Sequence, residues 1–335
     1  MKVILTGGGT LGSVSPLIGI WQKLKIQDKN LETIFIGTKH GPEKEFVRKY
    51  NILFKSIAAT RFRRYFSLFN LLIPFLILIS FIQSLIILLK YKPDWIISAG
   101  GYVQVPLIWA SKFFKTKVVL YQSDLKVGLA NKLNTSQADL IFTTFSESKE
   151  YFKDKSKVQV VGTVLRDEIN NVASEIDNSI LVLGGGTGAS SINSLIKDSL
   201  DELTINYKVI QVTGKGKQID MKHDNYEQHE ILLDDYYEKI SKAKLVISRA
   251  GLSSIMELAY LSKNTILIPL PNSPQESNAE YICERNGAIC LNQEGLTKDR
   301  FLKEVKKEIN LGSNFNEIFK LHGEEIIAKI IYGFK

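Results

Sequence analysis

The chain has 335 residues, which is enough for two domains with buried cores, and its hydrophobic share of 44% is ordinary for a globular protein. Its charge is uneven, because residues 1–164 hold 23 Lys and Arg against 10 Asp and Glu, whereas residues 165–335 hold 20 against 25. A basic half predicts a partner that carries phosphates, and the lack of a recognised nucleic-acid-binding motif disfavours nucleic acid.

Residues that bind metals or form disulfides are few and match no known pattern. The 4 histidines are scattered along the sequence, so neither a metal nor another cofactor is expected. Cys283 and Cys290 fit no metal-ligand spacing and are expected to be reduced thiols. The apolar start of the chain runs straight into a glycine turn without a cleavage site, which predicts a cytoplasmic protein.

Apolar runs alternate with helical stretches, which predicts mainly parallel sheets covered by helices on both faces. The strands expected in the first half are Val3–Leu5, Thr33–Ile36, Leu53–Ile57, Trp95–Ser98, Val118–Tyr121, Leu140–Thr143 and Val158–Val160. The strands expected after a linker at 162–177 are Ile180–Leu183, Tyr207–Val212, Glu230–Leu232, Leu245–Ile247 and Thr265–Ile268. These sets predict domains at 1–164 and 165–335, with the last helix, at about 314–332, packing back across the linker.

One strand at the start of each half ends in three glycines and a threonine, at 7–10 and at 184–187. A buried strand followed by a glycine turn and a helix lets backbone amides approach a phosphate, and the helix N-terminus favours negative charge. Both turns match the dinucleotide fingerprint, yet neither second strand ends in the carboxylate that holds a dinucleotide's ribose. NAD is therefore disfavoured, and two phosphorylated substrates, one per domain, are expected.

The segment 66–89 carries no formal charge, and its length fits a membrane span of about 20 residues. A full crossing would put the strands before and after it on opposite sides of the bilayer, so we reject it. The segment instead predicts a long helix, partly buried and partly seated in the membrane interface, where Arg61, Arg63 and Arg64 meet anionic headgroups. An ordinary core helix is the alternative.

Further turns indicate a binding site. The stretch from Arg249 to Glu257 places a glycine turn and small residues at a helix start, where backbone amides can hold a diphosphate. Glu257, one turn into that helix, can accept hydrogen bonds from ribose hydroxyls, and the Gln275 amide suits sugar hydroxyls. Gly100 and Gly101 follow another strand. Each motif alone is as typical of a structural turn as of a site, and only their order along the chain favours a site.

With these motifs the chain resembles glycosyltransferase family 28, and within it the N-acetylglucosaminyltransferases that make the lipid II precursor of peptidoglycan. The shared elements run nearly end to end and are Gly8–Thr10, Arg63–Phe66, Pro93–Asp94, Gly100–Val103, Gly128–Lys132, Gly162–Arg166, Gly184–Ala189, Gly214–Gly216, Asp234–Asp235, Arg249–Glu257, Gln275 and Asn278–Ala279. The resemblance implies an α/β protein of the GT-B type, in which two Rossmann-like domains with mainly parallel sheets face each other across a cleft.

The resemblance also implies the reaction. N-acetylglucosamine would pass from UDP-N-acetylglucosamine, held mainly by the second domain, to the C4 hydroxyl of undecaprenyl-pyrophosphoryl-MurNAc-pentapeptide, with inversion and without a metal or cofactor. This lipid-pyrophosphate acceptor would lie on the first domain, which docks peripherally on the anionic cytoplasmic face of the cell membrane.

Site residues follow from the same resemblance. In the donor site Leu233 would hold uracil through its backbone, Glu257 the ribose and Gln275 the sugar hydroxyls. The donor phosphates and the cleft beside them would involve Thr10, Leu11, Gly12, Asp124, Arg166, Thr187, Gly251, Leu252, Ser253 and Ser254. The acceptor would lie against Gly8, Gly9, Gly100, Gly101 and Tyr102.

The chain departs from the family pattern at the reacting centre. Leu11 replaces a glycine, Ser13 replaces a histidine suited to general-base work, and Gln122 replaces a glutamate. Serine has no useful pKa for a base near neutrality, so Asp124 becomes the candidate base beside Ser13 as the second catalytic position. The alternative role for Asp124 is to cap a helix that begins near Lys126.

Three functional interpretations stay open at this stage. The chain is an active lipid II synthase, or a transferase of the same fold with a different lipid-linked acceptor. In the third interpretation it is a catalytically weak relative that binds nucleotide sugar and membrane.

Overall fold

The computed structural model describes residues 1–59, 73–172, 175–185, 188–309 and 315–333. The chain forms two compact units, Met1–Arg166 with His322–Lys335, and Asp167–Leu321. Each unit has its own parallel sheet whose strands are linked through helices, so the predicted α/β class with two Rossmann-like domains is confirmed. The cleft expected between the two sheets stays a prediction.

The first unit is built on 7 parallel strands that follow apolar, β-branched runs of the sequence. They are β1 (Lys2–Thr6), β2 (Glu32–Gly37), β3 (Leu53–Ser56), β4 (Trp95–Ser98), β5 (Lys117–Gln122), β6 (Leu140–Thr143) and β7 (Val158–Val160). Their order in the sheet is β3-β2-β1-β4-β5-β6-β7, so the direction of strand addition reverses between β1 and β4. Ligands of such sheets bind beside this reversal, at the carboxyl ends of the strands.

The helices of the first unit follow its strands in alternation. Those described before residue 166 are α1 (Ser15–Gln27), α2 (Glu43–Arg48), α3 (Ile73–Tyr91), α4 (Gln104–Ser111) and α5 (Leu129–Asn134). The core between helices and sheet is mainly aliphatic, and Ile4, Ile96 and Leu120 within it have no exposed surface. Burial of such side chains provides most of the free energy that holds the helices on the sheet.

The second unit has 6 parallel strands, whose order reverses between the first and fourth of them. They are β8 (Ser179–Leu183), β9 (Lys208–Val212), β10 (Tyr226–His229), β11 (Leu245–Ser248), β12 (Thr265–Leu267) and β13 (Ile289–Cys290), in the order β10-β9-β8-β11-β12-β13. The described helices are α6 (Ser190–Thr204), α7 (Tyr236–Lys242), α8 (Leu252–Tyr260), α9 (Pro274–Cys283) and α10 (Lys298–Glu308).

Two details of the second unit correct the sequence predictions. The strand expected at Glu230–Leu232 is formed instead by Tyr226–His229, a half-buried edge strand whose polar residues give no apolar run. Cys283 and Cys290, expected to be free thiols, form a disulfide with a Cα–Cα distance of 6.1 Å. The prediction failed because the turn after α9 brings the chain straight back into β13, so the two side chains meet.

The last helix, α11 (Gly323–Gly333), belongs to the first unit and packs against α1. The Gly323 N–H donates to the Thr163 carbonyl oxygen at 2.7 Å, and the Glu324 carboxylate accepts from the Leu165 N–H at 3.1 Å. Burial raises the pKa of the Glu324 carboxyl above its usual value.

Candidate active site

The glycine turns of the first unit follow β1 and β4, where the strand order reverses. A Cβ on Gly101 would lie 2.7 Å from the Gly8 carbonyl oxygen, so only glycine allows the two turns to approach so closely. Gly9, with a φ of 85°, packs against the Tyr102 ring. The structure therefore brings together the residues predicted for the acceptor, Gly8, Gly9, Gly100, Gly101 and Tyr102.

Behind the first turn lies Glu43, the first residue of α2, which has no exposed surface. Its carboxylate accepts hydrogen bonds from the N–H (2.7 Å) and the hydroxyl of Thr38, and from the Gly9 N–H at 3.4 Å. The Gly9 N–H, which would face a phosphate in a dinucleotide site, is thus bound to the Glu43 carboxylate of the protein itself. Sequence reasoning missed Glu43, because a lone glutamate at a helix start has no distinguishing pattern.

Ser13 closes the same turn from its other side. Its Oγ accepts from the Gly8 N–H at 3.1 Å and donates to the Thr10 carbonyl oxygen at 3.3 Å. These bonds hold the short helical turn Leu11–Ser13, so the hydroxyl has a clear structural task there. The residues in between, 10–12, are exposed or half-buried, which leaves surface for a ligand at this turn.

A chain of buried amides joins the ends of β4 and β5. Gln122, the last residue of β5, donates through Nε2 to the carbonyl oxygens of Asp124 (2.7 Å) and Lys126 (3.3 Å). Its Oε1 accepts from Asn131 at 2.7 Å, and Asn131 in turn accepts from Gln104 at 2.7 Å. An ionised carboxylate has no proton to offer the two carbonyls, so glutamine suits this loop better than glutamate.

Asp124 is half-buried in the loop that Gln122 holds, between β5 and α5. Helix α5 begins only at Leu129, with Gly128 as its N-cap residue, so Asp124 lies four residues ahead of the cap. This position does not fit the helix-capping alternative. The loop 123–128 contains one carboxylate, that of Asp124. Its role as the base stays a prediction.

In the second unit the strand order reverses between β8 and β11, and three residues separate the end of β11 from the start of α8. The first-turn N–H groups of a helix have no acceptor within the helix, and its positive end favours a diphosphate. The first turn of α8 contains no acidic residue, and a Cβ on Gly251, its N-cap residue, would meet nothing within 4 Å. The predicted diphosphate residues Leu252, Ser253 and Ser254 thus form a helix N-terminus beside open space.

Glu257, one turn into α8, is 4% exposed and is held by two tyrosines. Tyr236 donates its hydroxyl to Oε2 and Tyr237 donates its hydroxyl to Oε1, both at 2.8 Å. The two tyrosines are the first residues of α7, and their rings meet edge to face at 5.2 Å. Sequence reasoning missed them, because nothing in the chain order links the start of α7 to a carboxylate of α8.

Two further predicted donor residues lie near helix starts of the second unit. Gln275, at the start of α9, accepts from the Leu270 N–H at 3.0 Å, which orients its amide. Leu233 is half-buried just before Asp234, in the segment that leads into α7. Thr187 lies outside the described residues.

Arg166 is placed differently from the other predicted donor residues. Its side chain is 7% exposed and belongs to the first unit. The guanidinium donates to the Tyr50 hydroxyl at 3.1 Å and lies 5.0 Å from the centre of the Phe46 ring. These contacts give Arg166 a packing role against α2 and the turn after it.

Arg249, between β11 and α8, joins three segments around the predicted donor site. Its guanidinium donates to the carbonyl oxygens of Ile268 (2.9 Å) and Pro269 (3.1 Å). It also donates to Ser191 of α6 and to Gln293, each at 2.7 Å. Burial lowers the pKa of the Arg249 guanidinium. This residue fixes the loop that presents the N-terminus of α8.

Comparisons with known proteins identify the family. The model of the glycosyltransferase family 28 N-terminal domain matches residues 3–143, and that of the family 28 C-terminal domain matches residues 179–320. A Clostridium perfringens relative is 36% identical over an alignment of 321 positions, gaps included, which covers 91% of this chain and 89% of the relative. The chain belongs to glycosyltransferase family 28. A second relative, from Legionella pneumophila, is 35% identical over an alignment of 348 positions, gaps included, which covers 98% of this chain and 95% of the relative.

Both of these family 28 relatives carry the same name, UDP-N-acetylglucosamine–N-acetylmuramyl-(pentapeptide) pyrophosphoryl-undecaprenol N-acetylglucosamine transferase. Among solved structures, Acinetobacter baumannii MurG has a TM-score of 0.71 and 21% identity, covering 99% of both chains. The UDP-GlcNAc 2-epimerase of Methanocaldococcus jannaschii has a TM-score of 0.67 and 15% identity, also covering 99% of both. These structural likenesses establish the GT-B fold.

Membership of family 28 makes the chain a glycosyltransferase. The hydrogen bonds of Ser13 and Gln122 give two of its three departures from the family pattern a structural role. Where the family pattern has a histidine, Ser13 ties down its own turn, and where it has a glutamate, Gln122 ties down the next loop. Both replacements exchange a titratable group for one that hydrogen-bonds the backbone.

Proposed function

We propose that this chain transfers N-acetylglucosamine from UDP-N-acetylglucosamine to the C4 hydroxyl of undecaprenyl-pyrophosphoryl-MurNAc-pentapeptide, with inversion at the anomeric carbon. The observation that carries the proposal is an identity of 36% over 91% of the chain to a relative named for this transfer. The second unit has the chemistry for the donor, because α8 begins beside open space and carries a buried carboxylate one turn later.

The donor would lie along the start of α8. We assign the diphosphate to the N-terminus formed by 251–254, the ribose to Glu257, the uracil to the backbone of Leu233 and the sugar hydroxyls to Gln275. The positive end of the helix stabilises the negative charge that grows on UDP as the bond to the sugar breaks. Further predicted contacts of the donor phosphates are Thr10, Leu11, Gly12, Arg166 and Thr187.

The reaction is one displacement. The acceptor's C4 oxygen forms a bond to the anomeric carbon, the bond from that carbon to the β-phosphate oxygen breaks, and UDP leaves with the electron pair. The proton of the C4 hydroxyl passes to the carboxylate of Asp124. Ser13 is engaged with the backbone of its own turn, and the amide of Gln122 cannot accept the proton.

We further propose that α3 docks the first unit on an anionic membrane surface. By length and composition α3 could cross a membrane, but β3 before it and β4 after it belong to one sheet. The helix buries a narrow stripe that includes Ser80 and Ser84, whereas its exposed residues are apolar except for Lys90 near its end. The exposed apolar residues are Phe75, Ile77, Leu78, Ile79, Ile82, Ile86 and Leu89. Residues 66–72 and the arginines at 61, 63 and 64 lie outside the described residues.

This inverted pattern is typical of a helix that faces lipid rather than water. Phe113, just after α4, is 70% exposed and its ring lies 6.3 Å from that of Phe81, so it extends the same apolar face. The excess of positive charge in residues 1–164 would add attraction to anionic headgroups. Docking at the cytoplasmic face would bring the chain to a lipid-linked acceptor.

A second candidate function is a protein that binds nucleotide sugar and membrane with little catalysis. The departures at Ser13 and Gln122 favour it, since both remove a group that could accept a proton. A transferase for a different lipid-linked acceptor would show the same departures.

The test is transfer of radiolabelled N-acetylglucosamine from UDP-N-acetylglucosamine to a lipid I analogue in anionic vesicles, with donor binding followed by calorimetry. We expect label in the lipid, and Glu257→Ala should weaken donor binding roughly 10- to 100-fold while the thermal melt stays cooperative. Donor binding without transfer would contradict the synthase proposal and favour the alternatives. Unchanged donor affinity in Glu257→Ala would contradict the donor-site assignment.

A further inference from the structure

We infer that Tyr236 and Tyr237 orient the Glu257 carboxylate toward the donor's ribose and so set the preference of the site for ribose over deoxyribose. The inference rests on the proposed function, in which Glu257 binds the ribose. The two tyrosines are positioning residues, because they would act on the donor through the carboxylate.

The two tyrosine hydroxyls bind the two carboxylate oxygens of Glu257 separately. Each hydroxyl binds a different oxygen of Glu257 at 2.8 Å, so together they fix the plane of the carboxylate as well as its position. A carboxylate oxygen can accept two hydrogen bonds, so a phenol on each oxygen is compatible with a ribose hydroxyl on each. A side chain fixed before the ligand arrives loses less conformational entropy when it binds.

The placement of the pair in the fold links two parts of the nucleoside. The tyrosines begin α7, and Leu233, assigned to the uracil, lies three residues before Tyr236. Tyr237 is 6% exposed, whereas Tyr236 is half-buried. One short segment would therefore hold the base directly and the ribose through Glu257.

A purely structural role would satisfy the buried carboxylate without affecting the choice of sugar. The discriminating measurement is calorimetric binding of two probes, UDP and 2′-deoxy-UDP, to the full chain. We expect the wild-type chain to bind UDP roughly 10- to 100-fold more tightly, as for loss of a hydrogen bond to a charged group. Tyr236→Phe should weaken UDP binding about tenfold and 2′-deoxy-UDP binding much less, so the ratio falls toward one.

Tyr226→Phe is the matched control, since Tyr226 donates its hydroxyl to Gln211 at 2.9 Å within the same unit. It should leave the ratio unchanged. Tyr237→Phe is the second variant and should also lower the ratio, and a thermal melt verifies that each variant folds. If Glu257→Ala removes the discrimination while both α7 variants keep it, the inference is wrong and the donor assignment stands. If the wild-type chain binds UDP and 2′-deoxy-UDP equally well, the assignment of the ribose to Glu257 is wrong, and so is the inference that rests on it.

Discussion

Gln122 shows how a single residue can exchange a chemical role for a structural one. Its Nε2 reaches the carbonyl oxygens of Asp124 and Lys126, and its Oε1 accepts from Asn131. These contacts need both a hydrogen-bond donor and an acceptor, which the amide provides. An ionised carboxylate provides acceptors only. Ser13 is a parallel case, because its hydroxyl both accepts and donates within one turn.

Gln122→Glu should therefore destabilise this chain, although the family pattern carries glutamate there. Gln122 is 3% exposed, and an ionised carboxylate would face two carbonyl oxygens without a proton to share. We expect the free energy of unfolding to fall by about 1–3 kcal/mol in urea denaturation at neutral pH. Gln159→Glu, at an exposed position of β7, is the control and should change it by less than about 0.5 kcal/mol. Equal stability of the two variants would mean that the amide network does not hold the loop.

At the scale of elements, α7 is tied to the edge of its sheet by one carboxylate. Glu227 of β10 forms ion pairs with Lys208 of β9 at 2.7 Å and with Lys239 of α7 at 2.9 Å. The hydrogen bond from Lys208 lowers the pKa of Glu227 most, and further hydrogen bonds from Lys239 and His229 help to bring it to about 2. This cluster anchors the helix that carries Tyr236 and Tyr237.

Glu227→Gln should cost stability in a pH-dependent manner. Because the pKa of Glu227 in the folded protein lies below the ordinary glutamate value of 4.5, the charged pairs stabilise the fold above about pH 4.5. That contribution is lost as the pH falls toward 2, so the wild-type advantage should narrow across this range. Urea denaturation of the wild-type chain and of Glu227→Gln, from about pH 7 down to pH 3, measures this difference in the free energy of unfolding. Glu280→Gln, at an exposed position of α9, is the control; a gap of constant size would contradict the ion-pair account.

The exposed apolar face of α3 should bind the membrane. Ile79→Asp should weaken binding to anionic phosphatidylglycerol vesicles about tenfold or more, since burial of an isoleucine contributes about 1.5–3 kcal/mol. Ile26→Asp on α1 is the matched control, because Ile26 is 68% exposed and Ile79 is 46% exposed. Co-sedimentation with the vesicles provides the affinities. Equal affinities for both variants would show that α3 is not the docking surface.

For the whole molecule, the sequence was sufficient to predict the two parallel sheets and the turns at their reversals. Buried β-branched runs that end in glycines mark both the strands and the binding edges, as at Gly9 and Gly101. The sequence could not predict the side chains that reach these turns and Glu257 from segments distant in the chain. Glu43 reaches the first turn from α2, and Tyr236 reaches Glu257 from another helix. The edge strand β10 was missed because half-buried positions need no apolar pattern.

The proposed transfer proceeds without the histidine and glutamate of the family pattern, so Asp124 has to accept the proton. The most direct measurement is the turnover number of wild-type chain, Asp124→Asn and Ser13→Ala, with UDP-N-acetylglucosamine and a lipid I analogue in anionic vesicles. We expect wild-type transfer with inversion, a loss of about 10²–10⁴-fold in Asp124→Asn and of less than about tenfold in Ser13→Ala. Full turnover in Asp124→Asn, or no transfer by a wild-type chain that binds UDP, would show that the chain does not catalyse this transfer through Asp124.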